Sequence, residues 1–156
     1  MTTNHAAPDL SYLATFSIQV GTPLEVGETP DGFRRIIPIL SGTVDGPGFK
    51  GSILSAGADF QLLRNPTLTE LEAKYAVETS DGERIYVTNF GIRSGSAEDI
   101  NKLVIGEPVD PKRIYFRCAP RLTSTGKNWA WLNSRIFIAT GERLPDEVRL
   151  DVFTVN

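Results

Sequence analysis

Along residues 10–20 the apolar positions Leu10, Tyr12, Ala14, Phe16, Ile18 and Val20 alternate with Ser11, Thr15, Ser17 and Gln19. A period of two marks a strand with one dry and one wet face. Segments 34–43 and 51–54 read as two more strands, joined by the turn-rich VDGPG. Segments 75–79 and 84–90 flank Ser80-Asp81-Gly82 and predict a hairpin, because Asp-Gly tolerates the positive φ of a tight turn. Segments 113–118, 130–139 and 148–155 supply three further strands, the first two separated by a long polar loop. Helical periodicity is weak, and only 68–75 and 97–104 suit a short helix.

These elements predict an all-β fold: a single antiparallel β-barrel of about eight strands, lipocalin-like in shape, with at most short helical turns. Residues 1–9 read as a flexible N-terminus and 10–156 as one barrel domain. A two-layer sandwich is the competing arrangement, since it buries alternate faces equally well.

Composition narrows the function classes. With 156 residues, 40% hydrophobic and 22% charged, the chain can bury one ordinary core without covalent staples. A net charge of -3 and a pI near 5.2 argue against nucleic acid as a partner. Apolar runs are far too short for a membrane span, and MTTNHAAPDL lacks the basic and apolar regions of a secretory leader. The expectation is a cytoplasmic protein. The one cysteine, Cys118, excludes an internal disulfide and a cysteine zinc site. The one histidine, His5, lies in the N-terminal tail, so a Ser-His-Asp triad, a Cys-His pair and a multi-histidine metal site fall away. No metal and no cofactor are expected. GTVDGPGFKG lacks the spacing of a phosphate loop, and its glycines predict a tight hairpin with positive φ. Cys118 reads as a small buried apolar residue.

What remains is polar residues set in strand-like, aromatic-rich segments. Arg34 and Arg35 precede IIPIL, and one of the two should face inward. Asp59 follows Gly57-Ala58, Asn89 lies in VTNFG with Arg93 soon after, Arg117 lies in YFRC and Asn133 in WAWLN. Singly, each fits the wet face of a strand. Together they suit the lining of a ligand cavity in a closed barrel. If 129–133 is a strand, Trp129, Trp131 and Asn133 share one face, suited either to an aromatic ligand or to core packing.

The ordered series G-F-R-R at Gly32, Arg34 and Arg35, G-P at Gly46 and Pro47 with Gly51, G-A-D at Gly57, Ala58 and Asp59, D-G at Asp81 and Gly82, Y-F-R at Tyr115, Phe116 and Arg117, and W-L-N at Trp131, Leu132 and Asn133 resembles the family catalogued as domain of unknown function 3237. The resemblance runs from Leu10 to the C-terminus, with Phe60 where the family commonly has tryptophan. It implies a β-barrel with a central pocket, often a homodimer, and supplies no common reaction.

Without a metal set, a nucleotide loop or a histidine base, cofactor-independent proton chemistry is the expected activity. Asp59 is the candidate base or acid, because an apolar cavity raises a carboxyl's pKa toward neutrality. Arg35 or Arg117 would stabilise a developing phenolate or enolate. Asn89 or Asn133 would orient the substrate, with Arg34 and Trp131 in the binding set and Tyr75, Tyr86 and Tyr115 as secondary proton donors. The reaction class is a lyase, isomerase or cyclase acting on a small aromatic or polycyclic molecule. A non-catalytic small-molecule carrier is the alternative, and an accessory protein with a plugged interior the third.

Overall fold

Alternation of side chains is carried through most of the chain. Ile85, Val87, Asn89, Gly91 and Arg93 are all buried while their neighbours are not, and the same holds for Phe116, Cys118, Pro120, Leu122 and Ser124. The computed structural model describes residues 4–156. Its strands are β1 (Leu10–Val20), β2 (Leu24–Thr29), β3 (Gly32–Asp45), β4 (Lys50–Ile53), β5 (Gly57–Asn65), β6 (Leu68–Thr79), β7 (Arg84–Ser94), β8 (Tyr115–Ser124), β9 (Ile136–Arg143) and β10 (Glu147–Val155). One helix, α1 (Ala97–Val104), follows β7.

These strands form a closed antiparallel barrel of eight staves. Closure comes from β1, which pairs with β10 along one edge and with β3 along the other, Phe16 lying opposite both Leu150 and Val44. β1 and β2 share one stave against β3, and β4 and β5 share the stave between β3 and β6. The barrel therefore prevails over the sandwich. Among the described residues, no helix is long and apolar enough to cross a membrane.

Several sequence expectations change. Segment 68–75 is strand β6, not helix: Thr69, Leu71, Ala73 and Tyr75 alternate inward between two paired neighbours, and that pairing overrides the helix-favouring LEAK. β2 and β5 lie in segments where the sequence pattern predicts no strand. Segment 97–104 is the expected helix, its N-cap Ser96 accepting from the Asp99 amide at 3.1 Å. The glycines after β3 are not in positive φ; that conformation belongs to Gly27, Gly32, Gly82 and Gly106. Gly46 and Gly51 instead let neighbouring backbone approach, since a Cβ would lie 2.0 Å from the Leu13 carbonyl at Gly46 and 2.5 Å from that of Glu78 at Gly51. Of the expected flexible stretch, residues 1–3 lie outside the described residues; Asp9 accepts a backbone hydrogen bond from Asn156 at 2.9 Å.

Segment 130–139 is also not one strand. Ala130–Ser134 is a 3₁₀ turn and β9 begins only at Ile136. The turn is held by side chains: Asn133 Oδ1 accepts from the Ser124 amide at 2.7 Å, while Glu83 accepts from the Asn128 and Trp129 amides at 2.6 and 3.1 Å and from Ser124 Oγ at 3.0 Å. Trp129 thereby packs edge-on against Phe49 at 4.7 Å, and Phe49 stacks on Phe16 at 6.5 Å. This end of the barrel is filled. Removing the Glu83 carboxylate leaves backbone donors without a partner, so Glu83→Ala is expected to lose roughly 2–3 kcal/mol in urea unfolding. A loss under about 0.5 kcal/mol would show that the anchor is dispensable.

Candidate functional site

The middle of the barrel is where the inward row turns from apolar to polar. Asp59 on β5 faces Ile37 on β3 and Ala73 on β6, and Ala73 in turn faces Asn89 on β7. The small Ala73 leaves open space between two polar neighbours. A cavity of about 30 Å³ lies there, lined by Asp59, Tyr75, Asn89 and Cys118 within a wall of Ile18, Ile37, Ile39, Leu71, Leu150 and others. That volume holds about two water molecules. A ring-sized ligand would therefore displace side chains rather than drop into vacant space.

One row closer to α1, Arg35 on β3 pairs across with Gln61 on β5. Arg35 Nε donates to Gln61 Oε1 at 2.9 Å, and Gln61 Nε2 donates to Asp59 Oδ2 at 2.8 Å. Arginine can only donate, so this chain fixes the orientation of the Gln61 amide and hands its N–H to the carboxylate. Arg35 Nη1 also donates to the Val104 carbonyl at the end of α1, at 3.1 Å. A row further on, Arg93 on β7 lies opposite Phe116 on β8, its guanidinium 5.4 Å from that ring's centre. Arg143 closes the set from the end of β9.

Burial dominates the electrostatics. It raises the Asp59 pKa above the usual carboxylate value, against the opposing pull of the Gln61 hydrogen bond and the charges of Arg93, Arg35 and Arg143. Burial likewise lifts the Tyr75 phenol, lifts the Cys118 thiol to about 11 and lowers Arg93 to about 10. At neutral pH Tyr75 and Cys118 keep their protons and Arg93 keeps its charge. Asp59 Oδ1, the Tyr75 hydroxyl and Asn89 Oδ1 are buried without a hydrogen-bond partner. All three residues line the one cavity, so its polar side carries donors and acceptors that the protein itself does not pair. Among the described residues, no cluster of three His, Cys, Asp or Glu side chains is placed to ligate a metal.

Of the residues singled out from sequence, Arg35, Asp59, Tyr75, Asn89 and Arg93 come together inside. The others do not. Arg34 faces outward and pairs with Asp31 at 3.5 Å, which settles the choice between the two arginines in favour of Arg35. Tyr86 and Tyr115 are half exposed on the outer face, and Arg117 lies over the Tyr115 ring at 5.2 Å outside the barrel. Strand parity is the reason: Phe116 and Cys118 point in, so their neighbours point out. Trp131 and Asn133 sit on the 3₁₀ turn, where Trp131 leans on Phe137 and Asn133 caps β8. Gln61 and Arg143, which the sequence does not single out, complete the interior with Arg93, noted from sequence without a role. Gln61 shares parity with Asp59, and Arg93 with Asn89, so a firm strand register was the missing signal.

The fold and the site together define a closed β-barrel with an apolar cavity floored by an ionisable polar network. The chain belongs to the family described as Protein of unknown function (DUF3237), which matches residues 8–155. It is 48% identical to a UPF0311 protein of Rhodopseudomonas palustris over 94% of this chain and 96% of that one. A crystal structure of a conserved protein of unknown function from the same species superposes with a TM-score of 0.94, at 46% identity, covering 97% of this chain and all of the other. A β-barrel-like protein of Acinetobacter baumannii gives 0.86 at 37% identity over 99% and 100% of the two chains. An enzyme from Penicillium herquei shares the fold at a TM-score of 0.75, with 16% identity and full coverage of both chains.

Proposed function

We propose that this protein is a cofactor-independent acid/base catalyst, of lyase, isomerase or cyclase type, acting on a small organic molecule with an aromatic or otherwise apolar body held inside the barrel. The observation that carries the reading is the Asp59 carboxyl: buried, free at Oδ1, facing an aliphatic cavity, and raised in pKa. A carboxyl held above its ordinary pKa is a stronger base, able to take a proton from carbon and return it. Gln61 fixes its other oxygen. Tyr75, which keeps its proton, can donate to oxygen charge developing on the substrate. Asn89 offers an amide to orient the substrate across the cavity. The small cavity favours a compact substrate over a polycyclic one. The Penicillium herquei enzyme is a precedent for the fold and for no particular residue.

The test is deuterium exchange. Incubating the protein in D₂O with a panel of compact enolisable ketones, keto acids and phenols should label at least one compound at carbon, read by mass spectrometry. Binding of panel members with neither labelling nor conversion would overturn catalysis in favour of a carrier.

A further inference from the structure

The interior holds more positive charge than its own side chains neutralise, and we propose that the missing counter-charge is the carboxylate of an organic acid bound inside the barrel. The assignment rests on the reading of the interior as a binding site and names the class of molecule that site takes. Arg35 and Arg93 are only 2% and 1% exposed, and Arg143 is half buried beside them. Asp59 is the carboxylate that shares their interior. Glu25 and Asp146 act on Arg35 and Arg143 from exposed positions, and neither forms an ion pair with them within 4.0 Å. Four guanidinium nitrogens are buried without a partner: Arg35 Nη2, Arg93 Nε and Nη1, and Arg143 Nε. Buried donors in folded proteins are nearly always satisfied, so such a group points to an absent acceptor.

The chemistry of that acceptor follows from its surroundings. Guanidinium and carboxylate are both planar and match in hydrogen-bond geometry, and a single negative charge suffers less on leaving water than the two of a phosphate monoester. Phe116 lines the cavity and also lies under Arg93, so the charged end and the aliphatic wall are contiguous. A head held by Arg93 and its neighbours places an apolar body against Ile37, Leu71 and Leu150. Bound so, the head is a second negative charge near Asp59 and favours the protonated form of that carboxyl.

Titration of the wild-type protein with acetate, crotonate and benzoate, each beside its primary amide, tests this directly. At least one acid should bind ten or more times tighter than its amide. Arg93→Met should reduce that preference below threefold, Arg93→Lys should keep most of it, and Asp59→Asn should bind the acid as tightly or more tightly. If Arg93→Met fails to unfold cooperatively, the acid–amide comparison in wild type and Arg93→Lys decides. Acids and amides binding equally would overturn the carboxylate subsite while leaving the binding site intact. Sulfate binding as tightly as the best acid would overturn the choice of carboxylate. Binding of none of the probes would overturn both readings.

Discussion

Asp59→Asn is expected to lower deuterium exchange or turnover by roughly 10²- to 10⁴-fold, the range lost with a general acid or base, while raising the thermal midpoint at neutral pH. The two effects have one origin. Burial disfavours the ionised carboxyl more than Gln61 and the nearby arginines favour it, so the folded protein holds the Asp59 proton more tightly than the unfolded chain does. Between the ordinary value of 3.8 and the raised folded value, the unfolded state has released a proton that the native state keeps. Stability therefore falls as pH rises through that window and stays lower above it. An asparagine, neutral and of the same shape, can still accept the Gln61 N–H and lacks this penalty. The midpoints of wild type and variant should nearly coincide near pH 4, where the carboxyl is neutral in the fold, and separate as pH rises. Full activity in the variant would remove Asp59 from the chemistry. A lower midpoint at neutral pH would show that its charge is needed to offset the arginines.

Much of the barrel was readable because strands with one dry face write their period into the chain, as residues 14–20 and 84–90 do, whereas Leu10 and Tyr12 lie before the register shift of β1 and face outward. Two segments were not. Residues 68–75 combine good helix formers with an inward alternation that only the neighbouring strands make decisive, and 130–134 resemble a strand until Asn133 and Glu83 tie them to the end of β8. The site was legible in its residue types rather than its members. Asp59, Arg35, Tyr75 and Asn89 were found because polar groups among apolar neighbours are conspicuous. Arg117 and Tyr115 were conspicuous for the same reason and face outward, because one position of register separates the cavity from the surface. Arg93, conspicuous beside Asn89, has that parity on its side, yet nothing local assigns it a role. Only closure of the ring brings it beside Arg35 and Arg143, which come from strands distant in sequence.

Closure itself can be tested at one atom. Gly46 directly follows β3, beside β1, and an added Cβ would lie 2.0 Å from the Leu13 carbonyl oxygen and 2.8 Å from Ala14 Cβ. Both obstacles belong to β1 at its register shift, and neither is the free end of a flexible side chain. Gly46→Ala must therefore push the seam between β1 and β3 apart, at a cost on the order of 3 kcal/mol. For a chain of this length that is a fall of roughly 10 °C in Tm. Gly48, two residues on, has nothing within 4 Å of its added Cβ and is not in positive φ. Gly48→Ala should be neutral or stabilising by about 0.5 kcal/mol, through the lower entropy of its unfolded chain. The same seam carries Ile18 and Val20 into the cavity wall opposite Asp59, so Gly46→Ala should also weaken binding of any acid that the wild type holds. Equal stability of the two variants would mean that β1 does not close the barrel at this point, and the enclosed site would lose one of its walls.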